Sequence, residues 1–167
     1  MLYLGCHLSS AGGNVAMVET ARKIGANTFA FFTRNPRSRA ATAWNPDDVA
    51  AARELLRQNQ FAPLVAHGAY AMNLCGASAD ARLVAADTIA DDLRRMADLP
   101  GNYYNFHPGS HVGQGVDTGI AQIADALNSD IDNAAIDVAA NVTSADFDTV
   151  DAQGMISRRG QQGADLA

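Results

Sequence analysis

Imidazole is the side chain most often used both to bind a metal and to carry a proton near neutral pH, and the four histidines of this chain fall in a pattern. His7 closes the apolar run Leu2-Tyr3-Leu4-Gly5-Cys6, and His67 closes Ala62-Pro63-Leu64-Val65-Ala66. His107 follows Tyr103-Tyr104-Asn105-Phe106 on a turn that Pro108 and Gly109 stiffen, and His111 lies one turn further on. Three histidines therefore stand at the exits of separate candidate strands. One imidazole at a strand end is commonly a hydrogen-bonded structural residue, whereas several brought together from different strands suit zinc or a similar cation. Cys6 and Cys75 are far apart without a paired spacing, so they suggest buried free thiols rather than a disulfide framework or a thiolate knuckle.

For these rings to meet, the intervening segments must return each strand to the same side. Strand-like and helix-like segments alternate through the first 127 residues, the pattern of βα units feeding a parallel sheet. Asn14 to Ile24 reads as a helix with Val15, Val18, Ala21 and Ile24 on one face, stopped by Gly25, and Asn27 to Phe32 reads as the second strand. Asn45-Pro46-Asp47-Asp48 supplies an N-cap, a proline at the first helical position and acids in the first turn. That helix turns Val49, Ala52 and Leu56 inward and leads to the third strand, ending at His67. Ser78 caps a helix carrying Leu83, Ala86, Ile89, Leu93 and Met96 until Pro100 and Gly101 break it. Tyr103 to Phe106 is a fourth strand, and Asp117 or Thr118 opens a fourth helix with Ile120, Ile123, Ala124 and Leu127 in a buried stripe. With right-handed crossovers, all strand exits share one face of the sheet, so His7, His67 and His107 are expected to converge.

Length and composition fit this plan. At 167 residues and 48% hydrophobic content the chain is one globular domain or part of one. No apolar run approaches the roughly 20 residues that span a bilayer, and no secretory layout opens the sequence, so a cytoplasmic location without membrane contact is expected. The net charge of -6 is unevenly spread: residues 1 to 127 carry 10 Lys and Arg against 11 Asp and Glu, and the remainder carries 7 Asp against Arg158 and Arg159. In the nearly neutral front part Arg34, Arg37 and Arg39 cluster in one loop, which suits a polyanion. Residues 128 to 167 read as a divergent acidic tail in which Asn133 to Val138 could form a fifth strand and residues 151 to 167 are expected to be disordered.

The residues around the histidines resemble the endonuclease IV family of apurinic/apyrimidinic endonucleases. The resemblance rests on Tyr3-Leu4-Gly5-Cys6-His7-Leu8-Ser9 with Ala11-Gly12-Gly13, and on Phe29-Ala30-Phe31-Phe32-Thr33-Arg34-Asn35. It continues in His67-Gly68-Ala69-Tyr70 with Asn73-Leu74 and in Asn105-Phe106-His107-Pro108-Gly109-Ser110-His111. It implies a (β/α)8 TIM barrel holding three zinc ions, which acts in base excision repair by hydrolysing the phosphodiester 5′ to an abasic site in double-stranded DNA and trims blocked 3′ ends. By match to the family pattern, His67 and His107 are zinc ligands and Arg37 lies in a loop that enters the duplex, with Arg34 beside it. Tyr70 matches a second penetrating position, His7 lines the pocket, and His111 supports the metal. Such chemistry needs no side-chain nucleophile, because zinc brings the pKa of bound water towards about 7. An abasic nucleotide, having lost its stacking, is extruded at lower cost than an intact one.

The chain departs from that pattern in its second half. A (β/α) barrel typically takes about 250 residues, so only the first four βα units are expected, with an open sheet edge through which copies could self-associate. The carboxylates and further histidines that strands five to eight supply in the family have no counterpart, and no glutamate follows Glu54. Asp137, in Ala135-Ile136-Asp137, stands where the family's bridging glutamate belongs, and Ser38 and Arg39 replace a glutamine and an aromatic residue in the DNA-entering loop. Fewer than three zinc ions, or none, and diminished activity are therefore expected. The competing reading is a catalytically inactive fragment that retains metal or DNA binding. A dinucleotide-binding unit built on Gly113, Gly115, Gly119 and Asp137 fits less well, since its glycines lie too far beyond the strand.

Overall fold

The structure, a computed structural model, describes residues 2–41, 44–99 and 101–129. Four strands alternate with four helices: β1 (His7–Leu8), α1 (Asn14–Lys23), β2 (Ala30–Phe32), α2 (Pro46–Gln58), β3 (Val65–His67), α3 (Ala79–Ala97), β4 (Tyr103–Asn105) and α4 (Val116–Ser129). The expected fifth strand, Asp137 and the acidic tail beyond Ser129 lie outside the described residues.

Helices α2 and α3 start where the sequence offers an acceptor to their free N–H groups. The Asn45 side chain accepts from the N–H groups of Asp47 and Asp48 at 3.0 and 3.4 Å, and the Ser78 hydroxyl accepts from Ala81 N–H at 3.3 Å. No side chain of its own caps α1, which follows Gly13. Its acceptor comes from α2: the Asp48 carboxylate takes the N–H groups of Asn14 at 2.6 Å and Val15 at 3.2 Å. Burial opposes ionisation of Asp48, but these bonds and that from the Asn14 side chain outweigh it and hold the carboxyl below its ordinary pKa.

All strands are parallel and the sheet order is β1-β2-β3-β4. Right-handed crossovers between sequential neighbours put every helix on one face, as in a barrel wall; a doubly wound sheet would reverse its order at a switch point. The core lies on that helical face. Phe31 and Ala66, at the centres of β2 and β3, join Val18, Ala21, Val49, Ala52 and Leu64 in one cluster, and Phe106 joins Leu74, Ile89, Leu93 and Ile123 in a second. Alternation along the strands therefore leaves Ala30, Phe32, Val65 and His67, all half-buried, on the opposite face.

The strands are shorter than the apolar runs that announced them, and the helical stripes are shifted. Ile24 and Leu83, expected inside, are 57% and 55% exposed. Ile24 follows the last turn of α1 and Met17 takes up the space against the sheet, whereas α3 turns Ala85, Thr88 and Asp92 inward beside the expected Ala86, Ile89, Leu93 and Met96. Cys75 is buried, but Cys6 is exposed on the β1 edge, contrary to the expectation for both thiols. No helix among the described residues is long and apolar enough to cross a membrane.

Candidate metal centre

His7, His67 and His107 meet at the strand exits, on the face opposite the helices. His7 pairs with Ala30, Phe32 with His67, and His67 with Asn105. The ring centres of His67 and His107 are 5.2 Å apart at an interplanar angle of 58°, and those of His7 and His67 are 6.4 Å apart. Phe32, between them, lies 4.5 Å from the His7 ring and 4.9 Å from His67. Two imidazoles bound through Nε2 to one tetrahedral zinc at about 2.0–2.1 Å have ring centres roughly 5 Å apart. The His67–His107 pair meets that spacing; His7, farther off and against Phe32, flanks it.

His67 Nδ1 lies 2.6 Å from the Gly68 carbonyl oxygen. A carbonyl only accepts, so Nδ1 carries the hydrogen and the Nε2 lone pair is free for a cation. Burial lowers the His67 pKa, the bond to Gly68 opposes that shift, and charge on His107 or His7 would lower it further. The ring is therefore neutral at physiological pH, the form that ligates. On the same face, the Asn105 side-chain oxygen is buried without a hydrogen-bond partner. Among the described residues no group of three or more His, Cys, Asp or Glu could hold a metal.

Tyr70 stands beside the two histidines, and the loop that carries Arg37 is tied to it. The exposed Tyr70 ring lies 5.3 Å from His107 and 5.8 Å from His67. Its backbone N–H donates to the Pro36 carbonyl at 3.0 Å, which ties the β3–α3 loop to the β2–α2 loop. Within the latter, Asn35 N–H donates to the Ala40 carbonyl at 3.0 Å and Arg37 N–H to the Asn35 side chain at 2.9 Å, so the exposed Arg37 sits near the tip of a closed loop.

Arg34 departs from the expected role. Its side chain is 7% exposed, and its guanidinium bonds Asp92 through Nε and Nη2 at 2.8 and 2.7 Å, Asp91 at 2.7 Å and the Arg39 carbonyl at 3.0 Å. Tyr104 donates its hydroxyl to the other Asp92 oxygen at 2.8 Å. Arg34 is thus an internal anchor of the loop, leaving Arg37 and Arg39 as its exposed cations. Burial lowers the Arg34 pKa, but the hydrogen bonds and charges of Asp92 and Asp91 more than compensate, so it is raised. His111 accepts at Nδ1 from Gly115 N–H at 3.3 Å, at the entry to α4. Asp137 lies outside the described residues.

Phe32, Asn73 and the Asp91–Asp92 pair had no role assigned from sequence. Phe32 could have been found from strand parity, since it is one step from the buried Phe31 and two from Ala30. The aspartates carry no such signal.

The sequence matches the family described as the xylose isomerase-like TIM barrel over residues 18–139. A probable endonuclease 4 of Akkermansia muciniphila is 54% identical over 128 residues, covering 77% of this chain and 46% of the relative. The chain belongs to the endonuclease IV family. Endonuclease IV from Thermus thermophilus superposes with a TM-score of 0.64 at 35% identity, over 74% of this chain and 45% of that one. The chain thus spans about half the length of the endonuclease IV relatives it matches, and its four parallel βα units are a partial TIM barrel. D-psicose 3-epimerase shares this architecture with a TM-score of 0.55 at 14% identity, a likeness of fold alone.

Proposed function

We propose that this chain carries part of the site of a zinc-dependent apurinic/apyrimidinic endonuclease, which hydrolyses the phosphodiester 5′ to an abasic site in double-stranded DNA. The observation that carries it is the His67–His107 pair, spaced for one tetrahedral cation and with His67 Nδ1 already committed to Gly68. Identity of 54% to a probable endonuclease 4 supports the reaction class. Zinc, when bound, activates water for attack on phosphorus and offsets charge on the leaving oxygen. His67 and His107 hold the cation and fix its position on the strand-exit face. Tyr70 and Arg37 meet the nucleic acid: the Tyr70 ring offers a stacking surface at the edge of the centre, and the Arg37 guanidinium at the loop tip pairs with phosphate. His7 and Phe32 line the floor beside the metal, and His111 steadies the turn that carries His107.

A second reading, an inactive fragment that retains metal or DNA binding, is favoured by the lack of a third metal donor among the described residues. Elemental analysis of zinc together with cleavage of a duplex bearing one abasic site tests both. Zinc bound at less than three per chain, DNA retained, and incision far below that of a whole barrel is the expected result. Robust metal-dependent incision by this polypeptide would overturn the loss of activity, and absence of both zinc and DNA binding would overturn the assignment. Neither β1 nor β4 has a second strand neighbour among the described residues, which supports self-association through these edges. A cytoplasmic location accords with this role.

A further inference from the structure

The two rings of the candidate centre come from different segments, His67 at the last residue of β3 and His107 beyond β4. Backbone pairing reaches only as far as Gly68 N–H donating to the Asn105 carbonyl at 2.8 Å, two residues short of His107. Past that point Asn73 bridges the loops. Its Nδ2 donates to the Ser110 carbonyl at 3.0 Å, and its Oδ1 accepts from the N–H groups of Ser110 at 3.3 Å and Cys75 at 3.1 Å. The carboxamide therefore pairs with both backbone groups of Ser110, as a neighbouring strand would. These contacts fix which end of the amide is oxygen and which is nitrogen. The fit is close: Gly109 has φ of 91°, and a Cβ there would run into the Asn73 carboxamide. The Cys75 thiol, kept protonated by burial, adds a bond to the Pro108 carbonyl at 3.2 Å.

We propose that Asn73 is a positioning residue for the metal pair, holding the Phe106–His111 turn so that His107 stays at the distance from His67 that lets both rings share one divalent cation. The inference rests on the reading that these two histidines bind metal together. With alanine at position 73 the Ser110 groups lose their partner, the turn is free to shift, and the ordering of two rings becomes part of the cost of binding.

Zinc titrated into the full 167-residue chain, in competition with a chromophoric chelator, tests this when Asn73→Ala, Gly109→Ala, His67→Ala, His107→Ala and Asn45→Ala are compared below their melting temperatures. Asn45→Ala removes the α2 cap and so weakens the fold away from the centre. Loss of a partner that orients a ligand typically lowers metal affinity about 10- to 100-fold, and that loss is expected for Asn73→Ala and, through the added Cβ, for Gly109→Ala, with Asn45→Ala unchanged. If the histidine variants weaken binding while Asn73→Ala and Gly109→Ala bind as the parent does, or if Asn45→Ala weakens it as much as they do, the positioning role is overturned and the metal reading stands. If the histidine variants leave affinity unchanged, the metal reading falls and takes this inference with it. Should Asn73→Ala fail to fold, Gly109→Ala alone decides.

Discussion

A guanidinium in an arginine-rich loop suggests a phosphate ligand, but Arg34 answers to the residues packed around it. Its partners Asp91 and Asp92 stand 57 and 58 residues away, a separation at which no spacing rule operates, so the sequence read as an exposed cluster what the fold uses as an internal tie. The Asp92 side chain is 0% exposed, and removing its counter-charge leaves a buried carboxylate to which the Tyr104 hydroxyl still donates but which no neighbouring cation offsets. Arg34→Ala is expected to cost about 3–5 kcal/mol, measured by urea unfolding, whereas Arg37→Ala, on the surface, should change stability by less than about 0.5 kcal/mol. The histidines were legible for the opposite reason, since each closes an apolar run and the exits of parallel strands share a face. His67 also makes stability depend on pH. Its folded pKa is depressed, chiefly by burial, so the stabilisation is present above the unfolded value of about 6.5 and is lost as pH falls through the folded one. Metal-free protein should unfold at lower urea at pH 5 than at pH 7.5, and His67→Gln should flatten that difference; an unchanged slope in the variant would show that other groups govern it.

At the level of elements, the N-terminal halves of α2 and α3 were readable because their caps are local: Asn45 and Ser78 act within three residues. The start of α1 was read at Asn14, where the structure has it, but its cap was not, because it is the Asp48 carboxylate of another helix, 34 residues on. This device makes α1 and α2 a unit: Asp48 joins the N-terminus of α1 to the first turn of α2. Asp48→Ala is expected to cost about 1–2 kcal/mol by urea denaturation, with the midpoint reduced and the slope kept. A loss under a few tenths of a kcal/mol would mean that water replaces the carboxylate at no cost. Because Asp48 is held below its ordinary pKa, its contribution is present above the unfolded carboxylate value and fades as pH falls through the folded one. The α3 stripe was misread at Leu83 because apolar residues at helical spacing outnumber those the sheet can cover. Its place in the buried face is taken by Ala85 and Thr88, so Leu83→Gln should be neutral within about 0.5 kcal/mol.

Across the described residues, four βα units form a wall whose helical face is packed and whose other face carries half-buried residues. Leu2, Tyr3 and Leu4 near β1 and Tyr103 in β4 are 73%, 55%, 61% and 63% exposed, the amount of apolar surface expected where neighbouring units of a barrel would lie. Among the described residues β1 and β4 each lack a second strand neighbour, and unpaired strand edges associate readily, so light scattering at tens of micromolar is expected to find more than one chain per particle; a strict monomer would rule out association through these edges. The half-barrel was legible because βα periodicity is a local signal repeated four times. A full ligand set was not, since among the described residues no group of three or more His, Cys, Asp or Glu could hold a metal. Whether His67 and His107 share one cation is read from zinc-edge X-ray absorption on the zinc-loaded chain. Two imidazoles per zinc at about 2.0–2.1 Å, falling to one in His107→Ala, are expected; a spectrum without imidazole scattering, or one identical in the variant, would show that the two rings do not bind a common ion.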